Sequence, residues 1–297
     1  MNTLNKILFF ALAFCSTANA QQKSTNLNGH YLGQKPPGMT PEVFAPGIIS
    51  TDAHEFSCCL SPDGNEFYFT RMNPKERQNY VMYTRLLDGV WIEPAIAPFA
   101  GSFTFEPFIT PDNRRAYFQT GKVVDGQLLM YTMFAERTNK GWSEAKDPGD
   151  PFNPMKTMHI SSTLDGTVYT TDISGGMGSE SLGMIRKVNG EYKILEKLGT
   201  PFNIVEKQQH PWIAPDESYI VFTVRRPGQN PGSVLFCSFR NKNGKWSEPK
   251  ELQLGINAGQ PFVTFDGIYL FFTSMEEQQG NICWVSSKIV EELRPKE

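Results

Sequence analysis

The feature that most constrains this chain is a phrase that returns about every fifty residues. Its clearest copy is Ser61-Pro62-Asp63-Gly64 followed by Glu66-Phe67-Tyr68-Phe69-Thr70. An apolar run enters, a polar turn reverses it, and an alternating aromatic run leaves. Asp-Gly between two such runs predicts a hairpin with a two-residue turn, because glycine tolerates the positive φ such a turn demands. The phrase recurs at Thr110-Pro111-Asp112-Asn113, Thr163-Leu164-Asp165-Gly166, Ala214-Pro215-Asp216-Glu217 and Thr264-Phe265-Asp266-Gly267, with the aspartates 49, 53, 51 and 50 residues apart. A period of that length built from strands is that of propeller blades, not of helical repeats.

Each unit offers four strands. In the first these are Phe56–Leu60, Glu66–Thr70, Tyr80–Leu86 and Val90–Pro94. A polar turn with glycine precedes the last strand (Asp88-Gly89, Lys140-Gly141, Asn189-Gly190, Asn243-Gly244), and an aromatic follows it: Trp91, Trp142, Tyr192 and Trp246. A large ring at one place in every unit suits sheets that bury both faces against their neighbours. The fifth unit has strands at Pro261–Thr264, Ile268–Ser274 and Asn281–Ser286 but no such fourth strand. Pro41–Ser50 resembles the end of a repeat and is expected to supply it, leaving no open sheet edge; Ile289–Leu293, as a strand or a short helix, is the rival. The expected fold is an all-β propeller of five four-stranded blades over residues 41–297, closed by an N-terminal strand, after an extended lead-in at 21–40.

Residues 1–20 carry Lys6, the apolar run Ile7–Phe14 and the small-residue end Ala18-Asn19-Ala20. That pattern is a secretory leader, cleaved before Gln21, and its apolar run is too short to span a bilayer. The protein is therefore expected in the periplasm or outside the cell, with no membrane span. Basic and acidic residues number 28 and 31, and losing Lys6 makes the balance more negative, which argues against nucleic acid as a partner. Cys58, Cys59, Cys237 and Cys283 sit inside expected strands and read as buried free thiols.

The phrase Ser-Pro-Asp-Gly-x-x-x-Tyr-Phe-Thr, with Asn-Gly-x-Trp further on, resembles the PD40 (WD40-like) repeat of TolB-type β-propellers, over roughly residues 41–297. The resemblance implies an exported propeller that binds partners or ligands; some relatives are carbohydrate-active enzymes. TolB itself has six blades and a preceding α/β domain, so its envelope role does not transfer to a chain with five repeats.

Six residues before each turn aspartate stands a polar residue: Ser57, Glu106, His159, His210 and Gln260. Strands flank all five, and buried polar groups need partners or water. His54 and Glu55 lie beside this layer, so three of the four histidines fall near one ring at the axial mouth. One reading is a solvated channel that sets blade register. The leading functional reading is a recognition module binding a small molecule, glycan or peptide there, with Arg71, Arg225 and Arg226, at the ends of second strands, either clamping an acidic group or pairing with Glu55 and Glu106. The runner-up is a metal-assisted lyase or glycosidase on acidic sugars. In that reading His159 and His210 hold one divalent metal ion, Glu106 serves as acid or base, and Arg71 or Arg225 holds the substrate carboxylate. Some propeller lyases that act on uronates use a His/Gln metal site of this kind, though no spacing here demands one. The third reading is a scaffold for an envelope protein, using the rim. No Gly-x-Ser-x-Gly elbow or EF-hand loop occurs. Gly175-Gly176-Met177-Gly178-Ser179 has no helix to seat phosphate.

Overall fold

The computed structural model describes residues 28–204, 207–226, 228, 232–275 and 279–296. The leader expected at 1–20 lies outside the described residues, as does the start of the lead-in.

Five four-stranded antiparallel blades stand around one axis. The innermost strands are His54–Leu60, Thr104–Ile109, Thr157–Ser162, Gln208–Ile213 and Ala258–Val263. Each touches the next, and the fifth returns to the first, which closes the circle. Second strands run at Glu66–Asn73, Arg115–Val124, Val168–Asp172, Tyr219–Arg225 and Tyr269–Ser274. Their apolar residues face both neighbouring blades, so Phe67, Tyr68, Phe69, Phe118, Phe222, Phe271 and Phe272 are all buried. Each such side chain contributes roughly 1.5–3 kcal/mol relative to exposure.

The blade-to-blade role of the repeated aromatics is visible in their partners. Trp142 donates its indole N–H to the Tyr68 hydroxyl of the preceding blade at 2.9 Å, and the Tyr192 and Tyr117 hydroxyls meet at 3.0 Å across the next seam. Trp91 donates instead to the carbonyl of Gly29 at 2.7 Å, because the chain's own N-terminal segment covers it. Where an extended lead-in was expected, His30–Gly33 makes a tight turn that lays Tyr31 against Tyr269 and Trp284.

The last blade is closed by Glu42–Val43, which pairs antiparallel with Asn281–Ser286 through Glu42 opposite Trp284 and Val43 opposite Cys283. The rival segment forms a short helix, Lys288–Glu291, and does not close the blade. All four cysteines of the described residues are buried and free, and burial raises their thiol pKa values.

The hairpin turns differ from the expected two-residue form. Gly64 N–H donates to the Ser61 carbonyl at 2.9 Å, so Pro62 and Asp63 are the central pair and only Gly64, at φ +70°, is left-handed. Pro62 explains this: its fixed φ suits the second position of a type I turn. The aspartate locks each turn by accepting from the N–H two residues on, at Asn65, Arg114, Thr167, Ser218 and Ile268.

Candidate functional site

The polar ring is built by a bulge repeated in every innermost strand. Pairing with the second strand is interrupted at Phe56/Cys58, Phe105/Phe108, Met158/Ile160, Gln209/Trp212 and Gly259/Phe262. The residue in each gap takes left-handed backbone: Ser57 (φ +46°), Glu106 (+54°), His159 (+51°), His210 (+52°) and Gln260 (+52°). In three blades the gap is one residue longer and holds a proline: Pro107, Pro211 or Pro261, which has no N–H to pair. Left-handed backbone costs a non-glycine residue roughly 1–2 kcal/mol, and strain of this kind gathers where it places a working side chain.

A threonine holds the bulge from the preceding blade. Thr273 Oγ1 accepts from the N–H of Ser57 at 2.9 Å, Thr70 from Glu106 at 2.9 Å, Thr171 from His210 at 2.8 Å and Thr223 from Gln260 at 3.0 Å. The blade-two equivalent is Gln119, whose Oε1 accepts from Thr132 at 3.1 Å. Sequence reasoning missed these threonines, although each ends the aromatic run that leaves the turn.

The ring side chains form one network. His210 Nε2 lies 3.5 Å from Glu106 Oε1, and Gln260 Nε2 donates to the same oxygen at 3.2 Å. The Thr273 hydroxyl donates to Gln260 Oε1 at 2.8 Å, and the His159 and His210 rings meet edge to face at 5.2 Å. Residues 154 apart in the chain are thus in contact. Glu106 Oε2, His159 Nδ1 and His210 Nδ1 are buried without a hydrogen-bond partner. Ser57 joins the ring through its backbone and is buried.

The electrostatics follow from burial. It pushes the His159 imidazole down to about 3, the Glu106 charge opposing and His210 adding to the fall. Burial acts to raise Glu106, yet the hydrogen bond and charge of His210, with His159 and Gln260, hold its carboxyl below the ordinary value. The ring therefore presents a carboxylate acceptor beside a neutral imidazole. Both groups have native pKa values below their unfolded ones, so the unfolded chain takes up protons first on acidification. Stability from His159 is intact above about pH 6.5 and is lost as pH falls toward 3; Glu106 acts in the same direction below its unfolded value. Urea midpoints across that range are expected to fall, and to fall less in His159→Gln. Equal slopes in both proteins would refute this.

The other expected site residues lie off the ring. Glu55 is fully buried and accepts from Thr51 and from Arg71 Nε at 2.7 Å, while Arg71 Nη2 donates to the carbonyls of Ile48 and Ile49. Arg71 is thus tied to Glu55 and to the closing segment. His54 Nδ1 accepts from the N–H of Gly280 at 2.7 Å, at the seam between the fifth and first blades. Arg226 pairs with Glu251, and Arg225 is exposed at the end of its strand. No group of three His, Cys, Asp or Glu side chains among the described residues is arranged to hold a metal ion. Glu106, His159 and His210 converge without fitting one.

No family model matches the chain, and no curated protein matches it. Solved structures do. TolB from Acinetobacter baumannii aligns at 15% identity and TM-score 0.49 over 81% of this chain, which spans 53% of that one. An alpha-L-arabinofuranosidase from Lactobacillus brevis aligns at 12% identity and TM-score 0.50, covering 80% of this chain and 90% of that one. The catalytic domain of the Coprinopsis cinerea GH62 alpha-L-arabinofuranosidase aligns at 8% identity and TM-score 0.51, covering 84% and 97%. At these identities the likeness to the two arabinofuranosidases speaks for the propeller fold alone.

Proposed function

We propose that the chain is an exported recognition module that binds a hydroxyl-bearing ligand, a saccharide before a peptide, at its axial ring. The observation carrying this is the set of unpartnered buried atoms from three blades: Glu106 Oε2, His159 Nδ1 and His210 Nδ1. A buried polar group without a partner costs about 1–3 kcal/mol, and a ligand that satisfies it recovers that energy. A carboxylate needs a donor, and a neutral imidazole offers one donor and one acceptor. A sugar hydroxyl gives and accepts, so neighbouring hydroxyls satisfy all three atoms. The ring's opening is narrow: His159 is 8% exposed and the His210 side chain 12%. Export is supported by the leader-like residues 1–20, and among the described residues no helix is long and apolar enough to cross a membrane.

The enzymatic reading has less behind it. A glycosidase of the usual kind needs two carboxylates at the bond, and Glu106 is the one carboxylate of the ring. The purified protein is to be screened against panels of neutral and acidic glycans and of peptides. Saturable binding to a glycan, lost in His159→Phe, supports the reading. Binding to peptides alone, or glycan binding that survives His159→Phe, would overturn it.

A further inference from the structure

A cleft lies at the other end of the blades, in the seam between the second and third. Three seams can be compared. Between the first and second blades, the Glu66 carboxylate is gripped by both terminal nitrogens of Arg137 at 3.1 and 2.5 Å. Arg137 lies over the Trp142 ring at 4.0 Å, and the Tyr68 hydroxyl donates to Glu66 at 3.1 Å. Anion, cation and two rings fill that seam. Between the third and fourth blades, Arg240 sits over Trp246 and pairs with Glu217 of its own blade, Glu217 accepts from the Tyr169 hydroxyl of the third blade at 2.6 Å, and a cleft of about 290 Å³ remains.

The seam between the second and third blades has the same rings and the wrong charge. Tyr117 stands where Tyr68 stands, and Tyr192 takes the place of Trp142. Lys187 lies over Tyr192 at 5.5 Å, as Arg137 lies over Trp142. The residue that opens the second strand is now Arg115 instead of Glu66. Arg115 and Lys187 therefore line the seam, and no carboxylate stands where Glu66 stands in the first blade. Arg115 reaches Glu136 and the Tyr117 hydroxyl only at 3.5 Å, and Glu136 is held more closely by Lys146 at 2.6 Å. Asp112 and Asp165 also line the seam, but each is turned onto its own hairpin. With Tyr192 in place of a tryptophan and no ion pair across this seam among the described residues, the cleft is about 620 Å³. The Ser162 hydroxyl lines it, 2% exposed and without a hydrogen-bond partner.

We infer that this seam binds a small molecule through one carboxylate, sulfate or phosphate group, seated between Arg115 and Lys187 with the Ser162 hydroxyl as a further donor. The group supplies the anion that Glu66 supplies in the seam between the first and second blades. The arginine and lysine give charge-assisted hydrogen bonds, and the half-buried Tyr192 ring offers a wall for the rest of the ligand.

The test titrates the full chain with inorganic sulfate, inorganic phosphate and glucuronate at constant ionic strength, with glucose as the neutral control, following heat and tyrosine fluorescence. Saturable binding of at least one anion and none of glucose is expected; which anion binds most tightly identifies the group. Arg115→Glu restores the pattern of the first blade and is expected to weaken binding by about tenfold or more. Lys187→Gln, a milder change, is expected to weaken it less, and serves if the first variant does not fold. His210→Ala, at the opposite end, is expected to leave it unchanged. No saturable response to any anion, or binding that survives both seam variants, overturns the inference. Loss with His210→Ala would assign the anion to the axial ring and overturn it equally.

Discussion

Replacing Phe44 with alanine is expected to lower the stability of the protein by about 3–5 kcal/mol. Phe44 is fully buried and packs between blades, with ring centres 5.0 Å from Phe67, 5.0 Å from Phe271 and 5.1 Å from Trp284. Its N–H donates to the Ile282 carbonyl at 2.8 Å, and the Ser50 hydroxyl donates to the same oxygen. Phe44 thus fixes the short strand that joins the chain's two ends. Removing the ring leaves a cavity where the circle closes and loosens the strand that covers the edge of the last blade. Neighbouring Val43 is 40% exposed, and its alanine variant is expected to change stability by less than about 0.5 kcal/mol. Urea denaturation of the two variants measures the contrast. Equal, small losses in both would mean that the first residues of the domain do not close the propeller.

The second large effect is at the ring. Glu106→Gln keeps the shape of the side chain and removes its charge. The hydrogen bond to a charged acceptor contributes about 1.5–3 kcal/mol, so affinity for the glycan found by the screen is expected to fall by roughly tenfold to over a hundredfold. The fold is expected to persist, because the Glu106 backbone remains anchored on Thr70. An affinity within about twofold of the wild type would remove the carboxylate from the site.

Much of this was legible before any coordinates. The turn aspartates set blade number and register, and six residues back from each of them the ring residues stand in line. The missing fourth strand of the last unit pointed to the N-terminal segment that supplies it. What was not legible depends on contacts between units. The period places Arg71 at the mouth but does not say that Glu55 and the carbonyls of Ile48 and Ile49 hold it there. The alternating pattern passes through Ser57 or His159 as though the strand were regular, because a left-handed bulge leaves no mark in hydropathy. The threonines that hold the bulges stand in four of the five repeats, yet a threonine in a strand is ordinary. The exchange of Glu66 for Arg115 is visible only once the repeats are laid on one another and the seam partners are known.

The central claim is that residues some fifty positions apart meet at one axis and act as a unit. The most direct test is a double-mutant cycle in stability between Glu106→Gln and His210→Phe. Groups in contact couple by about 0.5–3 kcal/mol, whereas separate sites add to within about 0.3–0.5 kcal/mol. The structure, with 3.5 Å between the two side chains, requires a coupling in the first range. Losses that simply add would show that Glu106 and His210 do not share a site, and the axial ring would not exist as described.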